Sequence, residues 1–282
     1  MNLLCFFGHH RCASSWTHGM LRSLAVGAGW RYRAVLDSRK LQGGLANDLA
    51  EQAPEVLALV NARREDLAVL PPFRGVHIVR DPRDVLVSAY FSHRNSHPTQ
   101  DWPELVPHRQ ALRAANEADG LLLELDWRAQ QFAEMAAWDY HDERILEWRM
   151  EELVRDPLPY LQELFRFWHR LAPQPEHWAA GVRRFYNRAT GSVARRLHGK
   201  VTLPAWRARD ISPTALEQAV TRHSFQRKSG GRSPGQVQPD HHYRSGVAGD
   251  WRKHFTRELR TEFKRRHGDL LMQLGYEKDD QW

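Results

Sequence analysis

Leu3-Leu4-Cys5-Phe6-Phe7-Gly8-His9-His10-Arg11-Cys12-Ala13-Ser14-Ser15-Trp16 opens the chain with an apolar run, a glycine, a polar loop and a serine pair. A short apolar run bounded by a turn residue reads as a strand buried on both faces. Ser14 or Ser15 is placed to cap the helix that follows, in which Trp16, Met20 and Leu24 recur every four residues. Strand, tight polar loop and helix start make the first unit of an α/β fold. Such a loop gathers backbone N–H groups and the positive helix end at one point, where phosphate-like anions bind. Arg11 adds a fixed charge, and Ser14 and Ser15 add hydroxyl donors. The lysine-bearing loop of nucleoside triphosphatases is absent, because Ala13-Ser14-Ser15 stands where Gly-Lys-Ser/Thr is required. Alone, the stretch fits an ordinary strand-to-helix turn equally well.

Outward from this unit, Val56–Val60 reads as a second buried strand and Gly75–Arg80 as a third, after the Pro71-Pro72 break. A helix starting near Pro82 runs through Asp84 to Phe91. Residues 94–127, punctuated by His97-Pro98 and Trp102-Pro103, read as a loop-rich surface excursion. Arg128–Glu147 reads as helical and Arg144–Arg149 as containing a strand. Pro157 opens a helix with Leu161, Leu164, Phe165, Trp168 and Leu171 on one face, and Ser212-Pro213 caps another. Residues 226–249, rich in glycine, proline and charge, read as a long loop, and Thr256 caps a last helix. The alternation predicts an α/β fold: a mainly parallel central sheet flanked by helices, in a single domain over residues 1–282.

The chain has 282 residues, 41 Lys+Arg, 34 Asp+Glu and a net charge of +7. Its 11 Trp, 11 Phe and 7 Tyr exclude disorder for the bulk. No apolar run is long enough to cross a bilayer, and Leu3–Phe7 lacks the flanks of a signal peptide. Two cysteines, Cys5 and Cys12, supply no disulfide framework, so a reducing, cytoplasmic setting is expected. Residues 183–266 carry 20 Lys+Arg against 6 Asp+Glu, so an anion is expected there. No zinc-finger spacing or RNA-binding signature supports a specific nucleic-acid partner. His9-His10 and His241-His242 are read without an accompanying His-x-x-x-His face or His/Cys quartet, so no metal is expected.

Two further segments carry chemistry. Arg80-Asp81-Pro82-Arg83-Asp84-Val85-Leu86-Val87-Ser88 puts Arg80 at the carboxyl end of a strand, where open α/β sheets place ligand contacts. Guanidinium grips phosphate by two parallel bonds, whereas Arg83 reads better as a partner of Asp81 or Asp84. Tyr243-Arg244-Ser245-Gly246-Val247-Ala248-Gly249-Asp250-Trp251 sets an arginine beside two glycines; in isolation it is a flexible linker.

Together the three segments resemble the sulfotransferases that use 3′-phosphoadenosine 5′-phosphosulfate (PAPS). That family's Pro-Lys-Ser-Gly-Thr-Thr-Trp loop matches His10, Arg11, Cys12, Ala13, Ser14, Ser15 and Trp16. Its Arg-x-Pro-Arg/Lys-Asp-x-x-x-Ser segment matches Arg80 to Ser88 at every defined position, and its late Arg-Lys-Gly-x-x-Gly-Asp-Trp element matches Arg244 to Trp251. Ser224-Phe225 resembles its Ser-Phe pair, and Arg149–Leu153 its Tyr-Glu-Asp strand end. Arg11 replaces the loop lysine, Ser245 the clamp lysine, and Met150 a tyrosine near the adenine.

The resemblance implies a P-loop-like nucleotide-binding architecture and transfer of a sulfuryl group to a hydroxyl or amine, leaving adenosine 3′,5′-bisphosphate (PAP). It places Arg11 at the bridging oxygen, Ser14 and Ser15 at the 5′-phosphate, and Arg80, Ser88, Arg244, Ser245 and Gly246 at the 3′-phosphate. Trp16 and Phe225 would sandwich the adenine, although core packing explains Trp16 almost as well. Many cytosolic members carry their base histidine in a Lys-Thr-His stretch after the second strand, where this chain has Asn61-Ala62-Arg63. His10, adjoining Arg11, is the expected replacement, with His93 second and Glu65 or Asp66 as carboxylate choices. A small-molecule, glycan or lipid acceptor is expected; Trp30, Tyr32, Trp102 and Trp127 fit either the lining of a phenol or lipid site or ordinary packing. The competing readings are a P-loop kinase and a non-enzymatic polyanion-binding protein.

Overall fold

The computed structural model describes residues 2–100, 102–174, 178–196, 204–233, 235–238, 244 and 246–282, with side chains left out at 194–196. The chain gathers into two compact units: Met1–Gly8, Ala13–Ile78 and Tyr140–Ser224 form one, and His9–Cys12, Val79–Asp139 and Phe225–Trp282 form the other.

The first unit holds the sheet. Strands β1 (Leu3–Phe7), β2 (Tyr32–Val35), β3 (Val56–Leu59), β4 (Phe73–Val79, whose last residue belongs to the second unit) and β5 (Ile145–Arg149) lie in the order β2-β3-β1-β4-β5. β1 pairs in parallel with β3 and β4, and β2 in parallel with β3. Every residue of β1 and β3 is buried, which is why both are written as unbroken apolar runs. Helix α1 (Ser14–Ala28) inserts Met20, Leu21 and Leu24 into this core, and α2 (Gly44–Gln52) crosses between β2 and β3. Short α7 (Met150–Arg155) leads to α8 (Pro157–Phe167), which contributes Leu161, Leu164 and Phe165, and α9 (Trp178–Arg196) and α10 (Pro213–Arg222) pack on α1. Ser212 caps α10 by accepting the Ala215 N–H at 3.1 Å, as its sequence predicts.

The second unit is helical. Helix α3 (Pro82–Phe91) is followed by α4 (Leu105–Ala114), α5 (Glu117–Trp127), α6 (Ala129–Ala136), the single turn α11 (Phe225–Lys228) and α12 (Arg257–Gln273). Its core joins Leu112, Leu121, Leu125, Phe132, Met135, Leu259 and Phe263, with Phe132 and Phe263 edge to face at 5.8 Å. Thr256 caps α12 through the Leu259 N–H.

Three sequence readings are corrected. Residues 94–127 are largely helical, because the Trp102-Pro103 and Pro107 punctuation falls at the start of α4, and Asn116 caps α5 through the Asp119 N–H at 3.0 Å. The helix expected over Arg128–Glu147 ends at Ala136. The N-cap of α1 is Ala13 rather than a serine, in left-handed conformation and with no side-chain capping bond. Strand β2 went unread, since Tyr-Arg-Ala-Val has neither an apolar run nor a buried alternation.

Candidate active site

Gly8 ends β1 by donating its N–H to the Leu59 carbonyl at 2.9 Å and accepting from the Ala62 N–H at 2.8 Å. A Cβ on Gly8 would stand 2.5 Å from Ser14 Oγ, so the loop turns here only with glycine. Arg11 and Ala13 then take φ of 67° and 57°, a region that costs an L-residue roughly 1–2 kcal/mol. Alternating hand along a short loop turns successive N–H groups toward one point, an anion-binding concavity. Ala13, the N-cap of α1, makes no side-chain capping bond, and a helix N-terminus carries a positive partial charge. Cys12 and Ser14 are buried and Ser15 is exposed. Trp16 is buried in the first unit, its indole N–H donated to the His223 carbonyl at 2.6 Å, so its ring is also a packing element.

Within the second unit the loop residues meet α3. Arg11 donates from Nε to Ser88 Oγ at 2.9 Å and from Nη1 to Ser92 Oγ at 3.3 Å, while buried Arg80 donates to the Arg11 carbonyl at 3.1 Å. The Arg11 guanidinium and two hydroxyls therefore converge, with the Arg80 guanidinium at the Arg11 backbone. Such a donor set fits phosphate or sulfate. Arg83 is spent elsewhere: it pairs with Asp81 at 2.7 Å and Glu277 at 2.5 Å and lies between the Trp251 and Trp282 rings, 3.9 and 4.4 Å from their centroids. Asp81 also caps α3 through the Arg83 N–H at 2.9 Å.

The late segment is tied to the same helix. Arg244 is buried against Asp250, in an ion pair, with its guanidinium 4.6 Å from the Phe91 ring centroid. Asp250, buried but held by Arg244, Lys253 and His254, stays below the ordinary carboxylate range. Half-buried Phe225 rests against Gly246, where an added Cβ would lie 2.5 Å from the ring. Ser245, expected beside Arg244, lies outside the described residues.

His10 and His93, read separately as bases, face each other Nε2 to Nε2 at 3.1 Å. The other nitrogen of His93 meets Glu124 Oε1 at 2.8 Å, and Glu124 Oε2 meets His108 Nε2 at 2.9 Å. Arg128 Nε lies 3.3 Å from Glu124 Oε1. Burial would raise the Glu124 carboxyl, but the hydrogen bonds donated by His93 and His108 and the neighbouring Arg128 cation outweigh it and hold it at about 2. Burial pushes His10 well down, helped by Arg128, His93, Arg11 and His97. His93 is lowered too: burial, Arg128 and Arg11 together outweigh Glu124. Trp102 sets its edge against the rings of His10, His93 and His97 at 5.9, 5.2 and 5.4 Å, and Trp127 stacks on His108 at 4.1 Å. Trp30 and Tyr32 pack in the first unit, donating to the Ala208 and His18 carbonyls. Asp66 is bound to Ser38 and Arg63, and Glu65 to Arg63, all within the first unit.

Sequence reasoning missed Glu124, His108, Arg128 and Ser92. Glu124 had a signal: one acid inside Leu121-Leu122-Leu123-Glu124-Leu125 on a helix needs a buried partner. The statement about His-x-x-x-His spacing is also corrected, because His93 and His97 stand four apart on the π-helical turn Ser92–Ser96 and its cap. With His10 they bring three ring nitrogens within 4.8 Å, and His93, His108 and Glu124 form a second such group.

Residues 67–190 match the family model of the sulfotransferase domain, a stretch that includes Arg80 to Ser88. No curated protein matches the sequence. Mouse sulfotransferase SULT7A1 complexed with PAP is similar over 96% of this chain and 84% of that one, at 14% identity and a TM-score of 0.57. The fold is therefore shared with that enzyme. Retinol dehydratase in complex with androsterone and inactive cofactor PAP aligns over 95% of this chain and 80% of that one, at 15% identity and a TM-score of 0.45. Among the described residues no helix is long and apolar enough to cross a membrane.

Proposed function

We propose that this chain is a PAPS-dependent sulfotransferase that moves a sulfuryl group to the hydroxyl or amine of a small-molecule, glycan or lipid acceptor. The observation that carries the reading is the convergence of Arg11, Arg80, Ser88 and Ser92 in the second unit, on a segment inside the sulfotransferase-domain match.

Sulfuryl transfer builds negative charge on the bridging oxygen of the departing bisphosphate, so a preorganised positive site is the useful catalyst. Arg11 is that site, held half-buried by the two serines of α3 and the following turn. Ala13, Ser14 and Ser15 present the helix end to the 5′-phosphate, with buried Cys12 in the same loop. Arg80, Ser88, Arg244, Ser245 and Gly246 receive the 3′-phosphate. Phe225 is the adenine platform, where base–aromatic stacking is worth roughly 1–3 kcal/mol. His10 takes the acceptor's proton.

A thermal-shift series with PAP, ATP and ATP with Mg²⁺ tests this. PAP is expected to raise the melting temperature well above either ATP condition, and labelled PAPS is expected to pass its label to an acceptor extract. Stabilisation by ATP with Mg²⁺ alone would instead make the chain a kinase-like protein. Salt-steep binding to heparin without nucleotide preference would make it a polyanion binder.

A further inference from the structure

We infer that His10, His93 and Glu124 form a proton relay: His10 Nδ1 receives the acceptor's proton, His93 Nε2 receives the proton that His10 gives up, and Glu124 holds the imidazolium so formed. The inference rests on the sulfotransferase reading for the identity of the proton donor.

The hydrogen bonds fix the tautomers. An ionised carboxylate only accepts, so the hydrogen between Glu124 Oε1 and His93 Nδ1 belongs to His93. A neutral imidazole carries one N–H, which leaves the lone pair of His93 on Nε2. The hydrogen in the 3.1 Å contact between the rings must then belong to His10 Nε2, and His10 keeps its own lone pair on Nδ1. The rings are close to parallel, at 18° with centroids 5.1 Å apart, and the two Nε2 atoms are their nearest polar approach at 3.1 Å. Both histidines are held neutral by burial and neighbouring cations.

Each member is pinned. His10 is held at its carbonyl by Gln131 Nε2 at 2.8 Å, and His93 at its carbonyl by Arg109 Nε at 2.6 Å. Glu124, fully buried, is fixed by His108 and Arg128 as well as His93. His10 faces Arg11, His93, His97 and Arg128, so a proton left on it stands among cations. Moving that charge to His93 brings it against the carboxylate, which is the physical reason for two rings rather than one. In the balanced step the acceptor O–H bond breaks and its proton goes to His10 Nδ1, while the His10 Nε2 proton passes to His93. The acceptor oxygen bonds to sulfur, and the pair from the broken sulfur–oxygen bond leaves on PAP. The next step reverses the two transfers and returns the proton to water.

The test is ¹⁵N-histidine NMR on the full chain at about pH 7.5, with and without PAP. His93 is expected as the neutral Nδ1–H form and His10 as the neutral Nε2–H form. His10 carrying its proton on Nδ1, or His93 already charged at rest, overturns the relay. In Glu124→Gln the amide can donate as well as accept, so His93 is expected to lose its single tautomer; an unchanged His93 spectrum also overturns it. Should that variant not fold, the wild-type tautomers decide. With 2-naphthol as acceptor, His93→Gln is expected to slow transfer about 100-fold or more while the Kd for PAP moves less than about threefold. Wild-type protein that fails to bind PAP sinks the sulfotransferase reading, whereas intact PAP binding with the wrong tautomers sinks the relay alone.

Discussion

Asp84 accepts the backbone N–H of Trp251 at 3.0 Å, and with its second oxygen that of Gly249 at 2.6 Å. A carboxylate inside the Arg80–Ser88 segment thus fixes the backbone just beyond Arg244. In Asp84→Ala each orphaned N–H is expected to cost about 1–3 kcal/mol. Calorimetry should show a lower Tm together with weaker PAP binding, and Asp84→Asn, which keeps an acceptor oxygen, should lose less. An unaltered PAP affinity in Asp84→Ala would separate the two segments functionally.

Arg80 and Arg83 are three residues apart and are expected to respond oppositely. Arg80→Ala should keep most of the Tm and raise the Kd for PAP about 10- to 150-fold, the worth of one charged hydrogen-bonded contact. Arg83→Ala leaves Asp81 and Glu277 without their cation and should cost about 3–5 kcal/mol of stability. Titration calorimetry beside thermal melts reads both. A stable Arg83→Ala protein with lost PAP binding would reverse the assignment.

Gly246 sits at φ 67° with the Phe225 ring where its Cβ would be. Gly246→Ala should therefore strain the turn and push the ring away, mimicking Phe225→Ala. Loss of a stacking platform is expected to weaken PAP about 5- to 150-fold. Equal PAP affinity in both variants and the wild type would show that Phe225 never meets the adenine.

Acid should unfold the protein partly through Glu124. Its carboxyl is held at about 2 against an ordinary 4.5, so its contribution is complete above about pH 4.5 and disappears as the pH falls toward 2. His10 and His93 act in the same sense, because their lowered values let the unfolded chain bind protons first as pH drops below 6.5. The Tm should fall steadily from neutral pH into the acid range, and the Glu124→Gln variant should show a shallower decline below pH 4.5. A parallel decline in both proteins would remove Glu124 as the source.

Much of this was legible in the sequence because its signals are local. β1 and β3 are written as apolar runs, Thr256 and Ser212 stand where caps belong, and Arg80 to Ser88 forms one strand-to-helix turn. What escaped depends on distant neighbours. Ser14 looks like a cap, but Gly8 lets the loop fold so that Ala13 takes that place. The prolines around 98–107 look like loop punctuation, but two of them fall where a helix begins. Glu124 gains its meaning only when α5 is seen to turn it toward His93 and His108.

Arg11 and Ala13 hold left-handed backbone that glycine would adopt more cheaply. A laboratory lineage selected for heat resistance alone should drift to glycine at both positions and grow hardier at the expense of turnover. One selected for turnover could accept glycine at 13, where no side chain is used, yet must keep the guanidinium at 11 and live with the strain.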